Sequence, residues 1–457
     1  MTYNARTFWE LAELKFIDDI KRDDLFRAGS LMFIATVIAG SINFFFHIVM
    51  GNLLSPETYG EFSALYALFF FLSYILIKTL RDINARFVSK FKGRDYHHLI
   101  PLFHSRMTIR MLIFGTITLL IFSAASGFFT SFLHISSNTL VLLVGLAFVF
   151  TWIIPINSGT MQGLQRFKNL SAIIIFQASA KFIIGTGLVI IGFGIFGAII
   201  GLVIGLFLVL ILSFYLVRDV VKLRFTKSKS SLIDDPSKIE KLRDNETRMM
   251  NLESSDVAKF SLHVLIAVSC LTIPTNIDIL IVKHFFTSQE TALYTAASVF
   301  GKMIYFLPVG ITLVMYPKVV EAQTKMDGTW NILTRSIIYT IVPTGLIVLM
   351  LWLFPSFFLG LFYPDVYTDA SSILRLYGPF MFFFSLISVL VHYNMALNRY
   401  GFIYFFACYS ISGLALIWFH HESLEQILQI FLGISIIFFF LGYMISLRYP
   451  HKTEPSR

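Results

Sequence analysis

Two lysines, Lys181 and Lys302, lie near the middle of long apolar runs in this 457-residue chain. An ammonium held in hydrocarbon costs ~2.5–3.5 kcal/mol on insertion scales. Neither side chain can easily reach a water boundary, so something must compensate the charge. One answer is a water-filled cavity that receives an anionic ligand. The other is a buried ion pair, or bonds to backbone carbonyls. Acids inside the apolar runs are scarce, which narrows the ion-pair option. Arg375, near one end of a later run, is a further candidate cation for the same ligand. Lys78, Lys259 and Arg335 lie at run ends and read as anchors.

Polar stripes accompany these cations. Thr36, Gly40, Asn43 and His47 recur at helical spacing and share one face. Gln177, Lys181 and Gly185 do the same. So do Thr295, Ser298, Lys302, Tyr305 and Thr312, and then Ser385, Ser388 and His392. Asn43, Gln177, Thr295, Ser298 and Tyr305 are suited to hydrogen-bonding sugar hydroxyls. The competing reading is that hydroxyl and glycine positions only let helices pack closely. Asp278 is the one clear acid within a run, in the stretch TIPTNIDIL beside Pro274 and Asn276. Proline removes a backbone donor and frees nearby carbonyls. A broken helix carrying an acid is one way to bind a coupling cation, here Na⁺ or a proton at Asp278 and Asn276. The alternative places Asp278 close enough to the surface to be solvated. His263 and His392 read as packed polar residues rather than proton relays.

The elements that must position these residues are membrane-crossing helices. The chain is 56% hydrophobic and only 14% charged, with 50 Phe, so a water-soluble domain could not cover its apolar surface. A hydrocarbon core of ~30 Å needs about 20 apolar residues per helix. Spans are expected at 28–50, 62–80, 111–133, 139–157, 170–193, 194–217, 257–282, 291–317, 331–354, 373–396, 402–419 and 425–447. The fifth and sixth are separated only by the short Gly192–Gly197 stretch. Alternate connections and the two tails hold 29 of the 36 Lys and Arg, whereas the other connections hold Lys283 alone. The positive-inside rule then places both termini in the cytoplasm of a multi-pass plasma-membrane protein. The net charge of +9 is topological, spread over many segments, and does not point to nucleic acid.

The expected fold is all-α and polytopic, with 12 transmembrane helices as two parallel six-helix lobes around a central cavity. Residues 1–27 mix Phe8, Trp9, Leu14 and Phe16 with acids, and are expected to form a cytoplasmic interfacial helix rather than a secretory leader. Residues 28–217 form the first lobe. Residues 218–256, the longest polar stretch, read as a cytoplasmic linker. Residues 257–447 form the second lobe, and 448–457 a cytoplasmic tail. A faint repeat supports the division. LLSPETYGEFSALYAL from Leu53 overlays FFTSQETALYTAASVF from Phe285 at an offset of 232 residues. An even number of spans per half makes any repeat parallel.

The same residues resemble a known family. Gly40–Ser73, GSINFFFHIVMGNLLSPETYGEFSALYALFFFLS, is similar to the opening of polysaccharide-biosynthesis membrane proteins, the lipid-linked oligosaccharide flippases. So are Asn276–Val319 and MQGLQRFKNLSA, Met161–Ala172. Ala292 departs from the pattern, where such proteins often carry Gly before the aromatic residue. These proteins belong to the multidrug/oligosaccharidyl-lipid/polysaccharide exporter superfamily. The resemblance implies two lobes that move a polyisoprenyl-pyrophosphate-linked sugar across the bilayer by alternating access. Lys181, Lys302 and Arg375 are then candidates for its anionic headgroup. Arg81 and Arg86 could recruit that group on the cytoplasmic side, or serve only as topology signals.

Other functions fare less well. The chain has no G-x-x-x-x-G-K-[ST] loop for ATP hydrolysis. Cys270 and Cys408 both fall inside spans, so neither a disulfide framework nor a metal site follows. No cofactor is expected. The outward connections are short, which disfavours a membrane glycosyltransferase or polymerase, and the chain reads as no enzyme. The closer rival is a cation-coupled multidrug or small-molecule exporter of the same superfamily. Cationic candidates favour an anionic substrate over that rival. The expected partners are the bilayer, the lipid-linked sugar and glycan-assembly enzymes, and the protein is expected to be a monomer.

Overall fold

The computed structural model describes residues 24–94, 96–227, 254–325, 328–397, 399 and 401–448. Most of the expected interfacial segment 1–27 lies outside these residues, as do 228–253 of the linker and 449–457 of the tail. Every regular element among the described residues is helical. In chain order these are α1 (Asp24–Leu53), α2 (Pro56–Gly93), α3 (Leu99–Ala124), α4 (Ser126–Phe132) and α5 (Asn138–Gly163). Next come α6 (Phe167–Leu188), a π-helical turn (Val189–Phe193), α7 (Gly194–Lys227), α8 (Ser254–Phe285) and α9 (Ser288–Thr324). The chain continues through α10 (Trp330–Leu353), α11 (Pro355–Phe362), a 3₁₀ turn (Asp365–Ala370), α12 (Ser371–Ala396), α13 (Gly401–Phe419) and α14 (Leu424–Arg448). Residues 218–227 and 254–256, expected in the linker, are helical ends.

Ten stretches of the described residues are long and apolar enough to cross a membrane. One, residues 167–220, is 54 residues long. A straight helix of that length would run ~80 Å, against a hydrocarbon core of ~30 Å. The chain instead folds back at Gly192 and Gly194, whose φ values of 106° and 52° are open to glycine at little cost. The returning α7 then lies antiparallel against α6 through Gly197, Gly201 and Gly205. A Cβ on Gly201 would lie 2.2 Å from the Gly185 Cα, and one on Gly205 3.0 Å from the Lys181 nitrogen. Glycines four apart let these two backbones approach.

The helices pack in two neighbourhoods. α1, α2, α3, α5, α6 and α7 form one, and α8, α9, α10, α12, α13 and α14 the other, with α2 packed along both α8 and α9. The end where α1 starts is termed the near end, and the end of the α1–α2 turn the far end. Ser55 caps α2 and Thr287 caps α9, the latter in a reciprocal capping box with Glu290. These caps stand 232 residues apart, the offset of the faint repeat.

The two neighbourhoods close on each other at the far end. Asn52 donates to the Phe362 carbonyl at 2.8 Å, and the Tyr59 and Tyr363 hydroxyls lie 3.4 Å apart. Lys283 donates to the His134 carbonyl at 3.2 Å, and His284 Nδ1 to the Phe132 carbonyl at 2.7 Å. Gly60 of α2 faces the backbone of Ser288 so closely that a Cβ would fall 1.9 Å from its carbonyl oxygen.

The proline expected to break the helix before Asp278 does not do so. α8 runs through Pro274 without interruption. The carbonyl that Pro274 leaves unpaired, that of Cys270, accepts from the Ser410 hydroxyl of α13 at 3.0 Å. Thr275 Oγ1 and Asn276 Nδ2 donate to the Thr272 carbonyl. The freed backbone is satisfied by neighbouring hydroxyls and an amide, so no open coordination site forms there.

Candidate functional site

Lys181 is fixed from three directions. It lies on α6 with 5% exposure, and its backbone is pressed against Gly205 of α7. Its ammonium donates to Asn43 Oδ1 of α1 at 2.5 Å and to the Tyr66 hydroxyl of α2 at 2.6 Å. The Nζ lies 4.7 Å from the Phe46 ring centroid and 4.6 Å from that of Tyr66. Charge-assisted hydrogen bonds and ring faces stabilise the cation without neutralising it. Among the described residues no carboxylate lies within ion-pair distance of Lys181. Asn43 spends its amide on the Ala39 carbonyl at 2.8 Å, which leaves its oxygen for the lysine.

Lys302 is arranged differently. Its Nζ is 3.9 Å from Asp278 Oδ1, and 23% of its side chain is exposed while that of Asp278 is sealed. The uncompensated-cation expectation therefore fails for Lys302, because α8 brings the one mid-run acid beside α9. The solvated alternative for Asp278 fails too. Its Oδ2 accepts from the hydroxyls of Tyr377 at 2.7 Å and Tyr294 at 3.4 Å. Its Oδ1 has no hydrogen-bond donor, leaving acceptor capacity aimed at Lys302. Gly301 makes room for this cluster, since a Cβ there would lie 2.0 Å from the Tyr377 ring.

His47 connects the two centres. Its ring meets that of Tyr66 edge-on at 4.8 Å, and it lies within electrostatic range of both Lys181 and Lys302. Its Nδ1 is buried without a partner. A group of two ammoniums, an imidazole, Asn43 and Tyr66 thus spans the seam between the neighbourhoods. Such a group can hold an anion: both lysines donate, and only one is paired with an acid.

The other expected residues divide. Gln177 lies one turn before Lys181 on the same face of α6 and is half-buried. Tyr305, also half-buried, packs on Phe384 with ring centroids 5.2 Å apart and reaches Ser388 and Tyr74. Thr295 and Ser298 are wholly buried in α9, and the Ser298 hydroxyl donates to the Thr295 carbonyl. They serve helix packing and face no ligand in this conformation. Arg375 is exposed and sits two residues before Tyr377, about 200° round α12 from the Asp278 cluster. Asn276 likewise sits two residues from Asp278 and bonds to Thr272 and Thr275, so the two do not form one ion site. Arg81 lies 3.9 Å from Asp82 and Arg86 is exposed, both toward the near end of α2. The side chain of His263 lies outside the described residues, and His392 Nδ1 pairs with the Ser388 carbonyl at 2.8 Å.

Sequence reading missed Phe46, Tyr66, Tyr294 and Tyr377. In a chain with 50 Phe and 19 Tyr, these rings look like filler. The available signal was spacing: Phe62, Tyr66 and Phe70 repeat every four residues along α2, on the side turned to Lys181.

Comparison with known proteins follows from this architecture. An uncharacterised membrane protein of Methanocaldococcus jannaschii is 22% identical over 348 residues, covering 76% of this chain and 79% of the relative. The fold is similar to that of a multidrug resistance MATE family transporter of the MOP superfamily in its inward-facing conformation. The TM-score is 0.70 at 13% identity, covering 91% of this chain and 98% of that one. The outward-facing conformation of a MATE family transporter gives 0.60 at 14% identity, over 93% and 96% of the two chains. The lipid II flippase MurJ, in an inward closed conformation, gives 0.68 at 15% identity, over 92% of this chain and 88% of that one. Residues 25–323 match the family described as polysaccharide biosynthesis protein, which is more than half of the sequence, and the chain belongs to that family.

Proposed function

We propose that this protein translocates a lipid-linked oligosaccharide, carried on a polyisoprenyl pyrophosphate, from the cytoplasmic to the outer leaflet for cell-surface glycan assembly. The observation that carries the reading is Lys181, a sealed ammonium at the seam with hydrogen-bond partners but no counter-ion. Twelve spans in two six-helix lobes, with both termini cytoplasmic, would make the far end the outer one. The far-end contacts then close the outer gate, and the near end is where the pyrophosphate enters. Lys181, Lys302 and His47 would hold the headgroup, with Asn43, Tyr305 and Gln177 beside the first sugars. Rocking of the lobes would pass the headgroup across while the isoprenoid stays in the bilayer. A ligand of this kind drives the change only if it binds the two conformations unequally.

A second reading has one observation in its favour. The buried Asp278 carboxylate, with an oxygen that lacks a donor, suits a coupling proton or Na⁺ and hence a cation-coupled exporter. Both readings are tested in proteoliposomes containing the full chain, by comparing a fluorescent polyisoprenyl-pyrophosphate glycan with a cationic dye. Movement of the glycan carrier and none of the dye is expected. Accumulation of the dye alone would replace the flippase reading with the exporter.

A further inference from the structure

Beyond the cations, α2 carries a feature that the headgroup does not use. Tyr66, Phe70 and Tyr74 follow one another at four-residue spacing, so they stand on one face of the helix. Their rings are stacked in sequence, with centroids 5.4 Å apart between Tyr66 and Phe70 and 6.5 Å between Phe70 and Tyr74. These separations exceed close stacking, so each ring keeps part of its face uncovered. Exposure rises along the row, from 7% at Tyr66 to 44% at Tyr74. Lys78 continues the same face one turn further toward the near end.

The row faces the other neighbourhood. Tyr74 is in electrostatic range of the Tyr305 hydroxyl of α9, and Lys78 of the His392 ring of α12. Between them stands Ser388, beside Tyr305 and with its carbonyl on His392. One wall therefore offers ring faces, and the other offers hydroxyl and imidazole groups. The row ends at Tyr66, whose hydroxyl is held by Lys181. An apolar chain would gain nothing from the hydroxyls, and a small inorganic anion nothing from the rings. A pyranose needs both: its C–H face lies on an aromatic ring while its hydroxyls bond to polar side chains.

We propose that the Tyr66–Phe70–Tyr74 face of α2, with Tyr305, Ser388 and His392 opposite, is a track on which successive saccharide rings of the substrate stack. The track deepens the lipid-linked glycan reading and rests on it. It assigns the anion to the Lys181 end and the sugar chain to the rings leading toward the near end. It also explains why the row is graded in exposure: the later sugars lie nearer to water.

The test is equilibrium binding to the detergent-solubilised full chain, with farnesyl pyrophosphate carrying no sugar, one hexose or three hexoses. Wild-type affinity is expected to rise with the number of sugars. Tyr74→Leu and Phe70→Leu should each remove much of that increment, and together weaken three-hexose binding by about tenfold, while sugar-free binding stays unchanged. Phe70→Trp, which keeps a ring, should retain the increment. Tyr74→Leu alone replaces a half-exposed side chain, so a readout survives even if the double variant folds poorly. Equal weakening of all three probes, or of none, overturns the track while leaving the headgroup site standing. A wild-type protein that binds none of the probes overturns the track together with the translocation reading.

Discussion

Gly60→Ala is the sharpest perturbation of the far-end closure. The added Cβ would lie 1.9 Å from the Ser288 carbonyl oxygen and 2.7 Å from its carbonyl carbon. Ordinary contact begins near 3.4 Å, so the two helix starts must separate by about 1.5 Å. Both partners are backbone, anchored by the Ser55 and Thr287 caps, and no rotamer change can relieve the clash. Overpacking of this kind costs ~1–3 kcal/mol. That cost falls only on the conformation in which the far ends touch. The ratio of far-end-closed to far-end-open protein should therefore drop by ~5–150-fold. The assay is a distance distribution between spin labels at Leu53→Cys and Val366→Cys, in a background of Cys270→Ala and Cys408→Ser. Gly60→Ala should move population to longer distances and slow transport. Gly127→Ala, where a Cβ meets nothing within 4 Å, should do neither. An unchanged distribution in Gly60→Ala, with an unchanged melting temperature, would refute the argument that this contact seals the far end.

Further outcomes follow from the site geometry. Lys181→Ala should cost at least tenfold in binding of the pyrophosphate carrier, and Lys181→Arg should retain more. Its melting temperature should shift little, because the lost hydrogen bonds at ~1.5–3 kcal/mol each offset a removed insertion cost of ~2.5–3.5 kcal/mol; a carrier affinity equal to wild type would reject the assignment. Tyr377→Phe should destabilise more than Tyr294→Phe in thermal unfolding, since its hydroxyl lies 2.7 Å from Asp278 rather than 3.4 Å. Asp278→Asn should blunt the response to imposed Na⁺ or proton gradients while sparing downhill exchange, and a variant as gradient-responsive as the parent would remove Asp278 from coupling. Ser410→Ala should lower stability by about 1 kcal/mol, because it strips the donor from the Cys270 carbonyl, and unfolding of the purified protein reads this directly.

Much of the architecture was legible because the bilayer imposes a length. Apolar runs marked where α1, α5, α10, α12 and α14 would lie, and the glycines at 192–197 marked the fold-back between α6 and α7. The hydropathy signal stopped early on α2, expected at 62–80 and observed to Gly93. There the helix leaves the hydrocarbon as RDINARFVSKFKG, an amphipathic turn sequence with too many charges for an apolar window. The site was only half legible. Lys181 and Asn43 stood out as polar groups in apolar surroundings. The Asp278–Lys302 pair did not, since spacing along one helix says nothing about which neighbour α8 places beside α9. Pro274 misled for a related reason: its consequence depended on Ser410, 136 residues further along the chain.

The glycine-lined hairpin of α6 and α7 bears on how the chain enters the membrane. With Lys181 at its middle, α6 is a poor substrate for the insertion machinery by itself. α7 follows after only the short turn at Val189–Phe193, too little chain for a folded loop. Its strongly apolar sequence can dock on α6 through Gly197, Gly201 and Gly205 before either helix leaves the translocon. Biogenesis should therefore treat the two as one cargo, so that a nascent chain ending near residue 190 integrates α6 poorly and one ending near residue 220 integrates it well.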